Sequence, residues 1–173
     1  MKPDSAKKYM LEMYQDFADS IFRYCVIRTS DREVARDITS DVFVRLWDAL
    51  LRQDVLTNKR AFLFTIARNL VIDWYRKRKA LSLDAIIEED AHWESSLQIG
   101  IPTARNDIEL FAEARYLIEK IKELDPPYQQ VVYLRFVEDL PPREIADILK
   151  ESVNVVSVRI HRGLRQLRDI TGH

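Results

Sequence analysis

Cysteine, histidine and glycine are scarce in this sequence. One cysteine, Cys25, excludes an internal disulfide, and its apolar neighbours place it in a core. Three histidines, His92, His161 and His173, lie too far apart to give the spacing of a metal site. Three glycines and six prolines punctuate 173 residues whose long segments never alternate as strands do, so an all-α chain is expected. No stretch approaches the roughly 18 apolar residues of a membrane span, and the N-terminal MKPDSAKKYMLEMYQDF is charged where a secretory leader is apolar. The expectation is a cytoplasmic protein with no direct membrane insertion. A Gly-rich phosphate loop and a clustered nucleophile and base are also missing, which argues against an enzyme and supplies no catalytic residue and no cofactor.

Charge is present in quantity but almost balanced, with 27 basic and 28 acidic residues and a formal net of −1. A nucleic-acid partner therefore requires the cations to be clustered, and they are. Between residues 60 and 79, Arg60, Arg68, Arg76, Lys77, Arg78 and Lys79 meet a single acid, Asp73; between Asp84 and Glu94 there are five acids and neither Lys nor Arg. A composition 47% hydrophobic and 32% charged suits one globular domain or two small ones.

From about Ser5 to Arg28, Met10, Met13, Tyr14, Phe17, Ile21, Tyr24 and Cys25 recur at three and four residues, giving one amphipathic helix. Ser30 to Glu33 has the form of a capping box, and a second helix follows to about Leu50 with Val34, Ile38, Val42, Leu46 and Ala49 inward. Asp37, Asp41, Phe43, Arg45 and Trp47 do not all fit that stripe. They read either as a solvated flank or as an acidic and aromatic face for a partner. Phe43 and Trp47, four apart, are both packed or both partly exposed. After a polar interruption from Arg52 to Asn58, Thr57 or Asn58 caps a third helix with Phe62, Ile66, Leu70 and Trp74 inward, ending at about Arg78. Three such helices close a domain over residues 5 to 79.

Residues 80 to 105 are acidic and aperiodic, and read as a linker. A fourth helix is expected from Asn106 or Asp107 to Leu124, and a fifth after Asp125-Pro126-Pro127, filled by Val131, Val132, Leu134 and Phe136. Pro141 to Leu167 then reads as helix, tight turn and helix. Ile145, Ala146 and Leu149 mark the first; Ser152 caps the second, with Val153, Val156, Ile160, Leu164 and Leu167 as its apolar stripe and Arg159, Arg162, Arg165 and Arg168 between. A helix packed on one side and basic on the other fits the recognition helix of a helix-turn-helix. The alternative is a surface helix with a solvated arginine face. This second domain spans residues 106 to 170.

The two halves together resemble the extracytoplasmic-function (group four) sigma factors of bacterial RNA polymerase over nearly the whole length. DREVARDITSDVFVRLWDAL is similar to the core-binding helix of the sigma-two domain, and RAFLFTIARNLVIDWYRKRK to the promoter-melting and minus-ten segment. LDPPYQQVVYLRFVEDLPPREIADILKESVNVVSVRIHRGLRQL is similar to the sigma-four domain that reads the minus-thirty-five element. The chain departs from the family pattern at Lys150, where Gly is usual, at Glu151, where an apolar residue is usual, and at Pro141-Pro142, in place of a Ser or Thr cap. A positive φ at Lys150 would strain it by about a kcal/mol relative to Gly.

The resemblance implies a promoter-specificity subunit without catalysis of its own. Its partners would be core RNA polymerase, promoter DNA and an anti-sigma factor. It assigns minus-thirty-five contacts to Asn154, Ser157, Val158, Arg159, His161 and Arg162, with Arg159 and Arg162 foremost. It assigns minus-ten recognition and melting to Arg60, Arg68, Asn69, Asp73, Tyr75, Arg76, Lys77 and Arg78, with base capture in the loop from Arg52 to Asn58. Trp74 belongs by periodicity to the core, leaving Tyr75 as the freer aromatic. Core-polymerase binding falls to Asp37, Asp41, Val42, Phe43 and Trp47. A competing reading is a helix-turn-helix repressor or activator with a sensing or dimerising N-terminal half, which would not require the basic segment from Arg60 to Lys79.

Overall fold

A computed structural model describes residues 3–53, 56–84 and 116–172; the rest of the expected linker, the start of the fourth helix and part of the loop before Asn58 lie outside the described residues. Every described element is helical. The chain divides into two compact units, Met1–Ile99 and Gly100–His173.

The first unit packs α1 (Pro3–Thr29), α2 (Arg32–Leu51) and α3 (Lys59–Asp84) against one another. Met13, Ile21, Tyr24 and Cys25 of α1 are buried as their spacing predicts, whereas Tyr14 is 50% exposed. It lies across the Phe43 ring with centroids 4.8 Å apart. Between α1 and α2 the cap falls one residue later than the sequence suggests. Ser30 takes a positive φ of 55°, and the Asp31 carboxylate accepts from the N–H groups of Glu33 and Val34 at 2.9 and 3.1 Å. A carboxylate at the cap also faces the positive end of the helix dipole, which a hydroxyl does less well.

Along α2, Ile38, Val42, Leu46 and Ala49 are buried as expected, and Phe43 joins them at 3% exposure. In α3 the buried set is Ala61, Leu63, Phe64, Ala67 and Val71, not Phe62, Ile66, Leu70 and Trp74, which are half-buried. Ten of the fourteen positions from Ala61 to Trp74 are apolar, so the sequence offers two overlapping stripes. Ala61 and Ala67 decide between them, because small side chains let α3 approach its neighbours closely and set the Phe64 ring edge-on to Tyr24, with centroids 5.4 Å apart. Asn58, not Thr57, caps α3, its Oδ1 accepting from the Ala61 N–H at 2.9 Å. The helix also runs past Arg78 to Asp84, into residues expected to be linker.

In the second unit, a helix α4, described over residues 116–122, is followed by α5 (Pro126–Phe136), α6 (Pro142–Leu149) and α7 (Val153–Thr171). Asp125 stands before α5 without a side-chain cap bond; two prolines in the first turn remove N–H donors that a cap would serve. Tyr133 takes the core position expected of Phe136, which is 48% exposed. The Tyr133 hydroxyl donates to the buried Glu138 carboxylate at 2.8 Å, so a polar tip is admitted to the core because a carboxylate is there to receive it. Both α5 and α6 pack on α7.

Candidate nucleic-acid interface

The turn between α6 and α7 is made by Lys150, which is left-handed at φ 58° and ψ 42°. The Glu151 N–H reaches back to the Ala146 carbonyl at 3.1 Å, the six-to-one bond that closes a Schellman motif. Ser152 then caps α7, its Oγ accepting from the Val155 N–H at 3.2 Å. The lysine thus occupies a conformation that favours glycine, as the departure from the family pattern implies.

On α7 the inward face is Val156 and Gly163, with Ile160, Leu164 and Leu167 half-buried; Val153, expected in the stripe, is 44% exposed. Gly163 marks the closest approach of α7 to α5, where an added Cβ would meet Val132 Cγ2 at 2.6 Å and Tyr128 Cβ at 3.1 Å. Asn154, Ser157, Val158, His161 and Arg162 are exposed together on the outward face. Arg159 differs from them. Its Nη2 lies 3.0 Å from Glu151 Oε1, and the two side chains are 31% and 35% exposed. Neither the Gly163 contact nor the Glu151–Arg159 pair was anticipated. The sequence shows a small residue in a periodic helix and an acid eight residues before an arginine, and that pairing depends on the turn.

On α3, Asn69, Asp73 and Arg76 recur at four and three residues along one exposed face, with Lys77 and Arg78 exposed beside it. Asp73 and Arg76 approach to 3.7 Å, too exposed to bind each other firmly. Arg60 and Arg68 are half-buried, and Arg68 donates to Asn69 Oδ1 at 3.5 Å. Tyr75 is the more exposed of the two aromatics, at 45%, as expected, but its hydroxyl is not free. The Tyr75 hydroxyl donates to the Arg28 carbonyl, tying α3 to the end of α1. Trp74 is half-buried, with the Arg78 guanidinium 5.4 Å from its ring centroid.

On α2, Asp37, Asp41 and Arg45 are exposed at successive intervals of four, Trp47 is half-buried and Val44 is 58% exposed. Val42 and Phe43, expected on the docking face, are enclosed at 0% and 3% exposure, with the Tyr14 ring of α1 lying across Phe43.

No group of three His, Cys, Asp or Glu among the described residues is placed to hold a metal, and no described helix is long and apolar enough to cross a membrane.

Two sequence-family models match. Sigma-70 region 2 covers residues 13–81, and Sigma-70, region 4 covers residues 114–167. The chain belongs to the extracytoplasmic-function sigma factors. It is 26% identical over 157 residues to the RNA polymerase sigma factor YlaC of Bacillus subtilis, covering 91% of this chain and 88% of that protein. It is 29% identical over 161 residues to the sigma factor SigW of the same organism, covering 89% and 86%. Among solved structures, the sigma factor RpoE of Bartonella quintana, in complex with the anti-sigma factor NepR, matches with a TM-score of 0.70 at 18% identity, covering 96% of each chain. As a sigma factor, the protein serves promoter recognition and transcription initiation. Region 2 of this sigma factor contains the α2 face and the basic end of α3, and region 4 contains α5 to α7.

Proposed function

We propose that the two units divide promoter recognition between them. Region 4 reads the minus-thirty-five duplex through Asn154, Ser157, Val158, Arg159, His161 and Arg162. The observation that carries this is the two-sidedness of α7: Val156 and Gly163 are held in the core while Asn154, Ser157, Val158, His161 and Arg162 stand clear of it. A helix so held presents its first turns to a major groove, with arginines for guanine edges and phosphates.

Region 2 binds core polymerase and opens the minus-ten element. Strand opening requires cations along a backbone and faces for unstacked bases. Arg60, Arg68, Asn69, Asp73, Arg76, Lys77 and Arg78 supply the polar track, and the half-exposed Trp74, backed by Arg78, supports a stacking role better than the tethered Tyr75. Asp37, Asp41 and Trp47 form the polymerase-binding face, over Val42 and Phe43. The acidic segment between the units repels nucleic acid and connects two readers without gripping DNA itself.

The protein acts in the cytoplasm, contributes no catalytic group and needs no cofactor. An anti-sigma factor restrains it; the complex of RpoE with NepR, a structure of the same fold, supports that partner class. Fluorescence anisotropy of the full chain on duplexes chosen by the holoenzyme from a random pool tests the division. Arg162→Ala weakens duplex binding by about 1 to 3 kcal/mol and leaves core affinity unchanged. An equal loss of core affinity contradicts it.

A further inference from the structure

Glu151 stands between two fixed pieces of backbone. Its own N–H is bonded to Ala146 at the close of α6, and Ser152 after it caps α7. Its carboxylate is therefore carried at the mouth of the helix-turn-helix on a backbone with little freedom. Arg159 lies two turns into α7, and side chains in a helix lean toward its N-terminus. The 3.0 Å contact with Glu151 holds the guanidinium at that end, where a recognition helix meets base edges. A guanidinium carries five N–H donors, so a single contact to Glu151 Oε1 leaves donors for the O6 and N7 of a guanine.

We infer that Glu151 is a positioning residue that makes Arg159 selective, by denying its guanidinium to the phosphates and holding it toward a base pair. This rests on the assignment of α7 as the recognition helix. An arginine with no anchor is free to divide its time between a base edge and the nearest phosphate, and the phosphate contact carries no sequence information. Held by Glu151, the guanidinium is locally neutralised, so its remaining donors gain less from an anionic phosphate while still fitting the neutral edge of a base. The carboxylate itself repels the DNA backbone, so the pair gives up some general affinity while sharpening discrimination. Glutamine at 151 keeps the shape and the backbone bond to Ala146 but removes the charge, so folding is preserved while the anchor is lost.

The experiment is selection from a random duplex pool by the reconstituted holoenzyme, followed by salt-dependent binding of the full chain to selected and non-selected duplexes. Arg159→Ala identifies the base pair that Arg159 reads. Glu151→Gln is expected to reduce preference at that same base pair by about five-fold or more, the lower end of what a good base contact provides. It also raises affinity for non-selected duplex and steepens the salt dependence by about one counterion, as a freed arginine reaches a phosphate. Glu151→Asp retains most of the preference, and Arg159→Ala with Glu151→Gln is no less selective than Arg159→Ala alone. Unchanged preference with Glu151→Gln overturns the inference. So does a change confined to a different base pair, which would mean that Glu151 reads DNA directly. If wild-type holoenzyme selects no sequence at all, the recognition-helix assignment fails before the role of Glu151 is reached.

Discussion

Gly163 on α7 and Val132 on α5 meet so closely that a Cβ on the glycine would stand 2.6 Å from Val132 Cγ2. Val132 is buried and β-branched, and the Tyr128 Cβ closes the other side at 3.1 Å, so neither neighbour yields easily. Gly163→Ala gains helix propensity of up to about 1 kcal/mol and loses about 1 to 3 kcal/mol to overpacking. The net expectation is destabilisation of region 4, read as faster amide hydrogen exchange in α5 and α7 of the full chain. Slower exchange there would show that the contact has slack.

Lys150 is predicted to be the opposite case. Its left-handed conformation at φ 58° is open to glycine at no steric cost. Lys150→Gly raises the stability of region 4 by up to about 1 kcal/mol, less the chain entropy that glycine adds to the unfolded state. Hydrogen exchange in α6 and α7 measures it, and a loss of protection would refute the strain.

The two departures at the turn illustrate how legibility divided. The helices of region 2, the Ser152 cap and the inward Val156 were readable because periodicity and capping are local. The face that α3 buries was not, because two apolar stripes overlap along it and leave the choice to close approach at Ala61 and Ala67. The tether of the exposed Tyr75 is not legible for a related reason: only the fold brings the Arg28 carbonyl to its hydroxyl. Among site residues, Val42 lies on the inward stripe that spacing predicts, whereas Phe43 could not be told from its exposed neighbours, since it extends the buried arc of α2 by one residue. The Glu151–Arg159 pair depends on the path of the chain through a left-handed lysine, which no helical period encodes.

Cys25 should be inert in the folded protein. Burial pushes its thiol up from 9.0 to about 12, only partly offset by a hydrogen bond with Thr39. Iodoacetamide at neutral to mildly alkaline pH should label it only after unfolding, because the thiolate is the nucleophile. Since the folded value lies above the unfolded one, the unfolded state releases its proton first as pH rises through 9.0. Stability therefore falls from there toward 12, and less so in Cys25→Ala. Native labelling at the rate of a free thiol would contradict this.

On α2, Asp41→Arg reverses the charge of an exposed residue, so folding is expected to be retained. Core-polymerase affinity is expected to fall by about ten-fold or more, within the range for placing a like or unpaired charge at an interface. Duplex binding by region 4 is expected to be unchanged. Unaltered core affinity would remove Asp41 from the docking face.

Run-off transcription with purified core polymerase and a random promoter pool tests most directly the claim that two units read two promoter elements. Transcripts are predicted to start downstream of sequences sharing two conserved elements, with the upstream one degraded by Arg162→Ala and the downstream one by combined substitution of Arg76, Lys77 and Arg78. Tight duplex binding by the protein alone, with no initiation at any member of the pool, would contradict the account.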